Sequence, residues 1–385
     1  MRLALLLVGL LLLPCTLAAE PVTVGQSASA AVSPAVAEYR RKLAAYKRAR
    51  AQYEAEAEAY WDAISAKRRI RFAKRRHHQT VALDDYVLTQ PPVYSGPPEP
   101  ADPTAPKKPP RPRPYVPVVA DFLKAAEKHF HFLPERPRSE IEFKRAYAAV
   151  ARAAALSKDQ VVRVYSFEAS GNGKYDVQAG LESGKGRAIS TALGYNQLLT
   201  TNTVSILAEN GHRIVAALEK KASQLSGDAK ARLQKKIVIV RRMVAFSRTV
   251  PVRWSEHVKL AKTPQGLGPH ALNLDIDIGP LLQTQKLLDS ILFAKRKGVD
   301  RPLSAAELEM MNLTGDGNGF DIVSMPEAIR GKVPTSNFFQ RGGYGRNPVA
   351  SRNNVVAKLL AATDAVMDRE MKHKGARDMA AAYSR

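Results

Sequence analysis

The stretch VVRVYSFEASGNGKYDVQAGLESGKGRAISTALGYNQLLTTNT, residues 161–203, carries the strongest fold signal in the chain. Four of its residues have the spacing i, i+3, i+4 and i+7 of a single helical face: Val161, Val164, Tyr165 and Glu168. The residues at 170–173 are Ser-Gly-Asn-Gly, which predicts the end of that helix. The pattern therefore predicts a helix whose apolar face ends in a glutamate.

Glu168 combines two features that disfavour its ionised form. It shares the face that should be buried, and desolvation raises the pKa of a carboxyl group. It also lies at the negative end of the helix dipole, which acts in the same direction. A carboxylic acid in such a setting can donate a proton near neutral pH. The alternative is a glutamate at a frayed helix end, hydrogen-bonded to the glycine loop.

The rest of the C-terminal part predicts a mainly α fold. Ser139 with Glu142 and Ser157 with Gln160 have capping-box spacing. Further helices are predicted at about 203–222, 228–247, 277–296, 304–312 and 353–371. The glycine-rich segment 171–187 is the one place where we expect a small β hairpin.

The N-terminus predicts export. Arg2 precedes an apolar run, Leu3–Leu13, that is shorter than the roughly 20 residues of a membrane span. An A-x-A-like site follows, so residues 1–18 are predicted to be a signal peptide. A lipoprotein signal at Cys15 is the alternative, which the preceding Pro14 disfavours. We expect a periplasmic or cell-wall-associated protein without cysteine.

Between the signal peptide and the C-terminal domain we predict three segments. Residues 19–37 are small and polar, and we expect them to be flexible. Residues 38–78 carry a tyrosine every seventh position and predict a basic, coiled-coil-like helix: Tyr39, Tyr46, Tyr53 and Tyr60. Residues 79–117 are rich in proline and predict an extended linker. The domain should then occupy 118–385.

The net charge of +23 predicts an acidic partner. Outside the cytoplasm this means cell-wall polymers or lipid head groups, and we expect no nucleic acid. Seven basic residues end the heptad helix and either form a solvated helix end or tether the protein to wall or membrane: Lys67, Arg68, Arg69, Arg71, Lys74, Arg75 and Arg76. The sequence does not determine the oligomeric state.

An apolar helix that ends in Glu-Ala-Ser-Gly, followed by Gly-Tyr-Asn-Gln-Leu and a threonine, resembles the lysozyme-like lytic transglycosylases. The matching residues are Glu168, Ser170, Gly171, Gly194, Tyr195, Asn196, Gln197 and Thr201. Asn273–Leu282 and Ser304–Gly315 are similar to two further elements of that family, the second through Asn312. The chain departs from the family pattern at Ala169, which separates the acid from the serine, and at Met311, where the family has tyrosine.

The resemblance implies a lysozyme-like α domain that cleaves peptidoglycan glycan strands without a cofactor. Glu168 would protonate the bond between N-acetylmuramic acid and N-acetylglucosamine and would then act as a base, leaving 1,6-anhydro ends. The implied substrate-binding residues are Ser170, Gly194, Tyr195, Asn196, Gln197 and Asn312. A hydrolase of the same fold would need a second carboxylate, for which Asp176 and Glu182 are the candidates. A non-catalytic wall-binding or scaffold protein is the other alternative.

The segment 315–321 has a pattern that suggests a metal site. Asp316 and Asn318 are spaced like the start of a calcium loop, but Asp321 stands where such a loop needs glycine. We therefore predict a tight turn beside the groove and no metal.

Overall fold

The computed structural model describes residues 33–106, 112–182 and 185–384. The signal-peptide prediction at 1–18 and most of the segment 19–37 lie outside these residues. The described chain is mainly helical, as predicted. None of its helices is both long enough and apolar enough to cross a bilayer.

The α-helices and their bounds follow in chain order. They are α1 Pro34–Arg76, α2 Val119–Phe130, α3 Glu140–Ala153, α4 Lys158–Glu168, α5 Thr200–Ser223, α6 Gly227–Ser247, α7 Trp254–Ala261, α8 Gly279–Arg296, α9 Ala305–Thr314, α10 Asp316–Val323, α11 Glu327–Arg330, α12 Arg341–Tyr344, α13 Pro348–Arg352, α14 Val356–Glu370 and α15 Lys374–Tyr383. Three 3-10 segments cover Leu83–Asp85, Gly268–Leu274 and Thr335–Phe338. The five helices predicted after residue 200 are all present.

The predicted hairpin within 171–187 is present but minimal. Strands β1 (Leu181–Glu182) and β2 (Lys185–Gly186) pair antiparallel, with Leu181 opposite Gly186. Both predicted caps also form. The Ser139 hydroxyl accepts a hydrogen bond from the Glu142 amide at 3.2 Å. Ser157 and Gln160 satisfy each other's backbone amides at 3.1 and 2.9 Å, which completes a capping box at the start of α4.

The described residues form two compact units. One contains residues 33–51 and 95–106, in which the first half of α1 lines a cleft with Pro97 and Pro98. The other contains residues 52–94 and 112–384. The linker predicted at 79–117 is therefore wrong for residues 79–94. These residues belong to the large unit because Asp85 and Tyr86 are buried in it.

Most of the basic cluster of α1 is used inside the large unit. Arg71 is fully buried and contacts Asp321 with 2.6 Å between Nε and Oδ2. Arg75 pairs with the same carboxylate, and Arg68 donates to the backbone carbonyls of Asn337 and Phe339 at 3.0 and 2.8 Å. Of the seven basic residues only Arg69 and Arg76 are exposed. A solvated or tethering role for the whole cluster is therefore wrong, because internal acceptors hold it.

The large unit has three apolar clusters, and the second of them supports the candidate site. This cluster joins α3, α4, α9 and α15 through buried residues that include Tyr147, Tyr165, Met311 and Met379. The first lies between α2, α5 and α6, and the third surrounds Phe338 and includes Tyr86. The C-terminal end of α4 is therefore held in place by this buried apolar cluster.

Candidate active site

The C-terminal end of α4 positions Glu168 at the protein surface. The helix stops there because Ser170 and Gly171 adopt left-handed backbone conformations, with φ of 49° and 62°. Gly171 also lies so close to the Glu370 carbonyl that a side chain would collide with it. The predicted glycine stop is therefore present. It leaves Glu168 partly exposed on the last turn.

Three side chains surround the Glu168 carboxyl. The Asn312 amide donates to its Oε1 atom. Glu309, one turn before Asn312 on α9, lies beside the same carboxyl and favours its ionised form. Lys286 of α8 attracts its negative charge through space. Burial nevertheless dominates and raises the pKa of Glu168 to about 7, although all three neighbours favour the ionised form. The expectation of a raised pKa is thereby confirmed.

Glu309 is the residue of this site that sequence reasoning missed. It lies on α9 one turn before Asn312 and is 1% exposed. Burial and the neighbouring Glu168 carboxyl raise the pKa of Glu309 well above its usual range. Two carboxyl groups can hydrogen-bond to each other only if they hold a proton between them. The pair therefore titrates as a unit.

Asp289, one turn after Lys286 on α8, is a further partly buried acid near this lysine. Its carboxylate accepts hydrogen bonds from Asn210 at 3.1 Å and from Gln285 at 2.7 Å. Burial raises the pKa of Asp289 to about 6, and Lys286 opposes that rise. Glu168, Glu309 and Asp289 thus all experience the same cation.

The structure brings together Glu168 and Asn312 from the predicted set, but it buries Tyr195 and Asn196. The Tyr195 ring packs edge-on against Tyr165 of α4 with 4.8 Å between centroids. The Asn196 amide donates to the Gln283 backbone carbonyl at 2.8 Å. These two residues therefore lie in the core behind α4. A direct groove-lining role does not fit them, because neither side chain reaches solvent.

Gly194 and Gln197 shape the turn between the buried pair and the surface. Gly194 has a φ of 80°, and a Cβ there would lie 2.7 Å from the Gln283 amide nitrogen. Gln197 also has a positive φ, 44°, and its side-chain amide donates back to the Gly194 carbonyl at 2.8 Å. Ser170 is exposed beside Glu168. Of these three, Ser170 lies nearest to the acid in the chain, two residues after it.

Gln283, the residue directly after the segment Asn273–Leu282, connects that segment to the same turn through buried amides. Gln283 donates to Asn273 Oδ1 at 2.9 Å and accepts from the Asn196 backbone amide at 2.8 Å. Asn273 in turn donates to the Thr203 hydroxyl at 3.0 Å. The motif segments that the sequence analysis singled out are therefore joined by hydrogen bonds, most of them away from the Glu168 carboxyl.

Of the two predicted second carboxylates, Asp176 does not join Glu168. Asp176 forms an ion pair with Arg136 at 3.2 Å, and both side chains are more than a third exposed. Glu182 ends strand β1, and its side chain lies outside the described residues. The structure therefore supplies no contact between Asp176 and the site.

Residues 316–323 form the helix α10, so the tight turn predicted there is wrong. Asp321 is buried and neutralised by Arg71 and Arg75, and Asp316 accepts a hydrogen bond from Ser290 at 2.8 Å. The described part of the chain holds no group of three or more His, Cys, Asp or Glu side chains arranged for a metal ion.

Comparisons with known proteins found no matching family model, no matching curated protein and no matching solved structure.

Proposed function

We propose that this protein cleaves peptidoglycan glycan strands as a lytic transglycosylase, with Glu168 as general acid and base. The environment of the Glu168 carboxyl carries the proposal. The group is partly exposed at the end of α4, it is contacted by Asn312, and burial raises its pKa to about 7. A carboxyl group with a pKa near the working pH can both donate a proton and take it back.

In the proposed reaction Glu168 starts protonated. It donates its proton to the glycosidic oxygen between N-acetylmuramic acid and N-acetylglucosamine as the bond from C1 to that oxygen breaks. The resulting carboxylate removes the proton of the muramoyl 6-hydroxyl, and the 6-oxygen bonds to C1. This closes the 1,6-anhydro ring and returns the proton to Glu168, so water is not consumed.

The contact between Glu168 and Glu309 favours a mechanism with one catalytic carboxylate. Hydrolases separate their two carboxyl groups by about 5–5.5 Å when they retain configuration and by about 6.5–9.5 Å when they invert it. Two adjacent carboxyl groups that share a proton leave no space for a sugar or a water between them. Glu309 is therefore unsuited to act as the second catalytic carboxylate.

A hydrolase remains the second candidate because of Asp289. This acid and Glu168 are both attracted by Lys286, and burial raises the pKa of Asp289 to about 6. Such a carboxylate is suited to activate a water near neutral pH. Asp289 thus replaces Asp176, which is ion-paired to Arg136, as the candidate general base.

Mass spectrometry of the products tests both candidates. Residues 19–385 would be incubated with purified peptidoglycan, alongside Glu168→Gln, Asp289→Asn and the matched surface control Asp176→Asn. Products with 1,6-anhydro ends that disappear only with Glu168→Gln support the transglycosylase. Reducing ends that require both Glu168 and Asp289 indicate a hydrolase. Intact glycan binding with no products refutes both and favours a wall-binding protein.

The positive charge supports an acidic wall or membrane partner at the first half of α1. Five exposed basic residues lie there: Arg40, Arg41, Lys42, Lys47 and Arg48. Anionic polymers should bind such a basic segment in a salt-dependent manner. Co-sedimentation with peptidoglycan at low and high salt, with Lys47 and Arg48 changed to glutamate, tests this part of the proposal.

A further inference from the structure

Glu309 has no role in the proposed reaction, yet it lies beside the proposed acid, on the same face of α9 as Asn312, whose amide contacts Glu168. The side chain is 1% exposed, and its Oε2 atom is buried with no hydrogen-bond donor from the described residues. A buried carboxylate with an unpaired oxygen is strongly disfavoured, whereas the neutral acid has a proton to donate. The contact with Glu168 gives that proton an acceptor.

The charged groups around the pair do not supply an ion pair instead. Within the described chain, no Lys, Arg or His nitrogen lies within ion-pair distance of either carboxyl, and Lys286 acts on both only through space. The acids of the neighbouring helices α10 and α14 are held by other partners: Asp316 by Ser290, Asp321 by Arg71 and Arg75, Asp364 and Asp368 by Arg163, and Glu370 by Arg369 and His373. The Asn312 amide donates to the Glu168 carboxyl and also favours the ionised form of Glu309.

We propose that Glu309 is a positioning residue that stays protonated and donates a hydrogen bond to Glu168 throughout catalysis. This inference rests on the proposed function. When Glu168 has given its proton to the leaving oxygen, Glu309 and Asn312 would stabilise the carboxylate from two sides. Glu309 itself would neither touch the glycan nor exchange its proton with it.

Two substitutions distinguish a neutral donor from a negative charge. Glu309→Gln keeps a neutral hydrogen-bond donor of the same shape, whereas Glu309→Leu removes the donor. If Glu309 is protonated, the first change should leave the titration of Glu168 nearly in place. The second should raise the pKa of Glu168, because its carboxylate loses a stabilising hydrogen bond.

The experiment titrates Glu168 by NMR in the intact chain, with ¹³C at the glutamate carboxyl carbons. Glu168→Gln and Glu309→Gln identify the two signals by their disappearance. The rate of glycan fragment release is measured over the same pH range. For Glu309→Gln we expect the Glu168 pKa to stay within about half a unit. For Glu309→Leu we expect a rise of about one to two units and a rate loss of roughly 10- to 100-fold.

Two results would overturn the inference. A fall of more than about one unit in the Glu168 pKa with Glu309→Gln would mean that Glu309 is ionised and acts by repulsion. Identical titrations in wild type and both variants would mean that Glu309 only fills space. If the wild type releases no glycan fragments, the proposed function fails, and the NMR titration still decides the protonation of Glu309.

Discussion

The side-chain amide of Asn312 donates a hydrogen bond to the Glu168 carboxylate, although 144 positions separate the two residues in the chain. Glu168 is the last residue of α4, and Asn312 lies on α9 one turn after Glu309. The candidate acid therefore depends on the packing of two helices. A change in that packing should alter both the proton affinity of Glu168 and the stability of the protein.

The stability of the protein should fall as the pH rises from about 4.5 to about 7, in part because of Glu168. The pKa of Glu168 is about 7 in the folded protein against an ordinary 4.5. The stabilisation that the protonated Glu168 contributes is fully present below pH 4.5. It is lost between pH 4.5 and about pH 7, because the unfolded chain releases this proton at a lower pH than the folded chain does. Glu168→Gln cannot ionise, so its stability relative to wild type should increase by about 1–3 kcal/mol between pH 4.5 and pH 8. Urea unfolding at both pH values measures this. If the free energies of unfolding of the two proteins changed equally with pH, the prediction would be contradicted. Asp176→Asn is the matched control.

Removing the Asp321 carboxylate should strongly destabilise the large unit. Asp321 and Arg71 are both fully buried, and Arg75 pairs with the same carboxylate. Asp321→Asn leaves buried cations without a counter-charge, which costs about 3–5 kcal/mol. Asp378→Asn breaks the surface pair with Lys374 and should cost less than about 1 kcal/mol. Equal midpoints of thermal unfolding for these variants would refute the buried-pair argument.

Gly319→Ala should weaken the contact between α10 and α9 beside the site. A Cβ at Gly319 would overlap the backbone of Met311, the residue before Asn312. Overpacking of this kind costs about 1–3 kcal/mol, and the shift of α9 should also lower glycan cleavage. Gly331→Ala is the control, because nothing lies within 4 Å of its added Cβ. Chemical denaturation and the release of glycan fragments are measured on both variants. Gly319→Ala should lower both the stability and the cleavage rate, and Gly331→Ala should change neither.

Truncation should show that the second half of α1 belongs to the large unit. A chain of residues 52–385 keeps Arg71 and Tyr86, which are 0% and 3% exposed, and should unfold cooperatively. A chain of residues 95–385 leaves Asp321 and the apolar surface around Phe338 without these partners. We expect it to melt lower or to lose its cooperative transition, as followed by circular dichroism. If the two chains had equal melting temperatures, the linker predicted at 79–117 from its proline content would be supported after all.

Several features of the fold and the site were predictable because they depend on neighbours within a few residues. The caps at Ser139 and Ser157 need only the residue three positions on. The end of α4 needs only the Ser-Gly-Asn-Gly sequence that follows it. The raised pKa of Glu168 followed from its position on the buried face of a helix. Glu309 carried a comparable signal, because it is one of two acids, with Glu307, in the buried run of residues 305–311, but spacing alone did not assign it a partner.

The sequence by itself determined that the chain is mainly helical, where its principal helices lie and that Glu168 ends one of them, since these depend on local periodicity and caps. Only the tertiary structure decided that Glu309 and Asn312 face Glu168, that Tyr195 is buried, and that arginines of α1 bind internal acceptors. The physical reason is separation along the chain. Arg71 and Asp321 are 250 positions apart, and no local pattern specifies which charges and amides meet when distant helices pack.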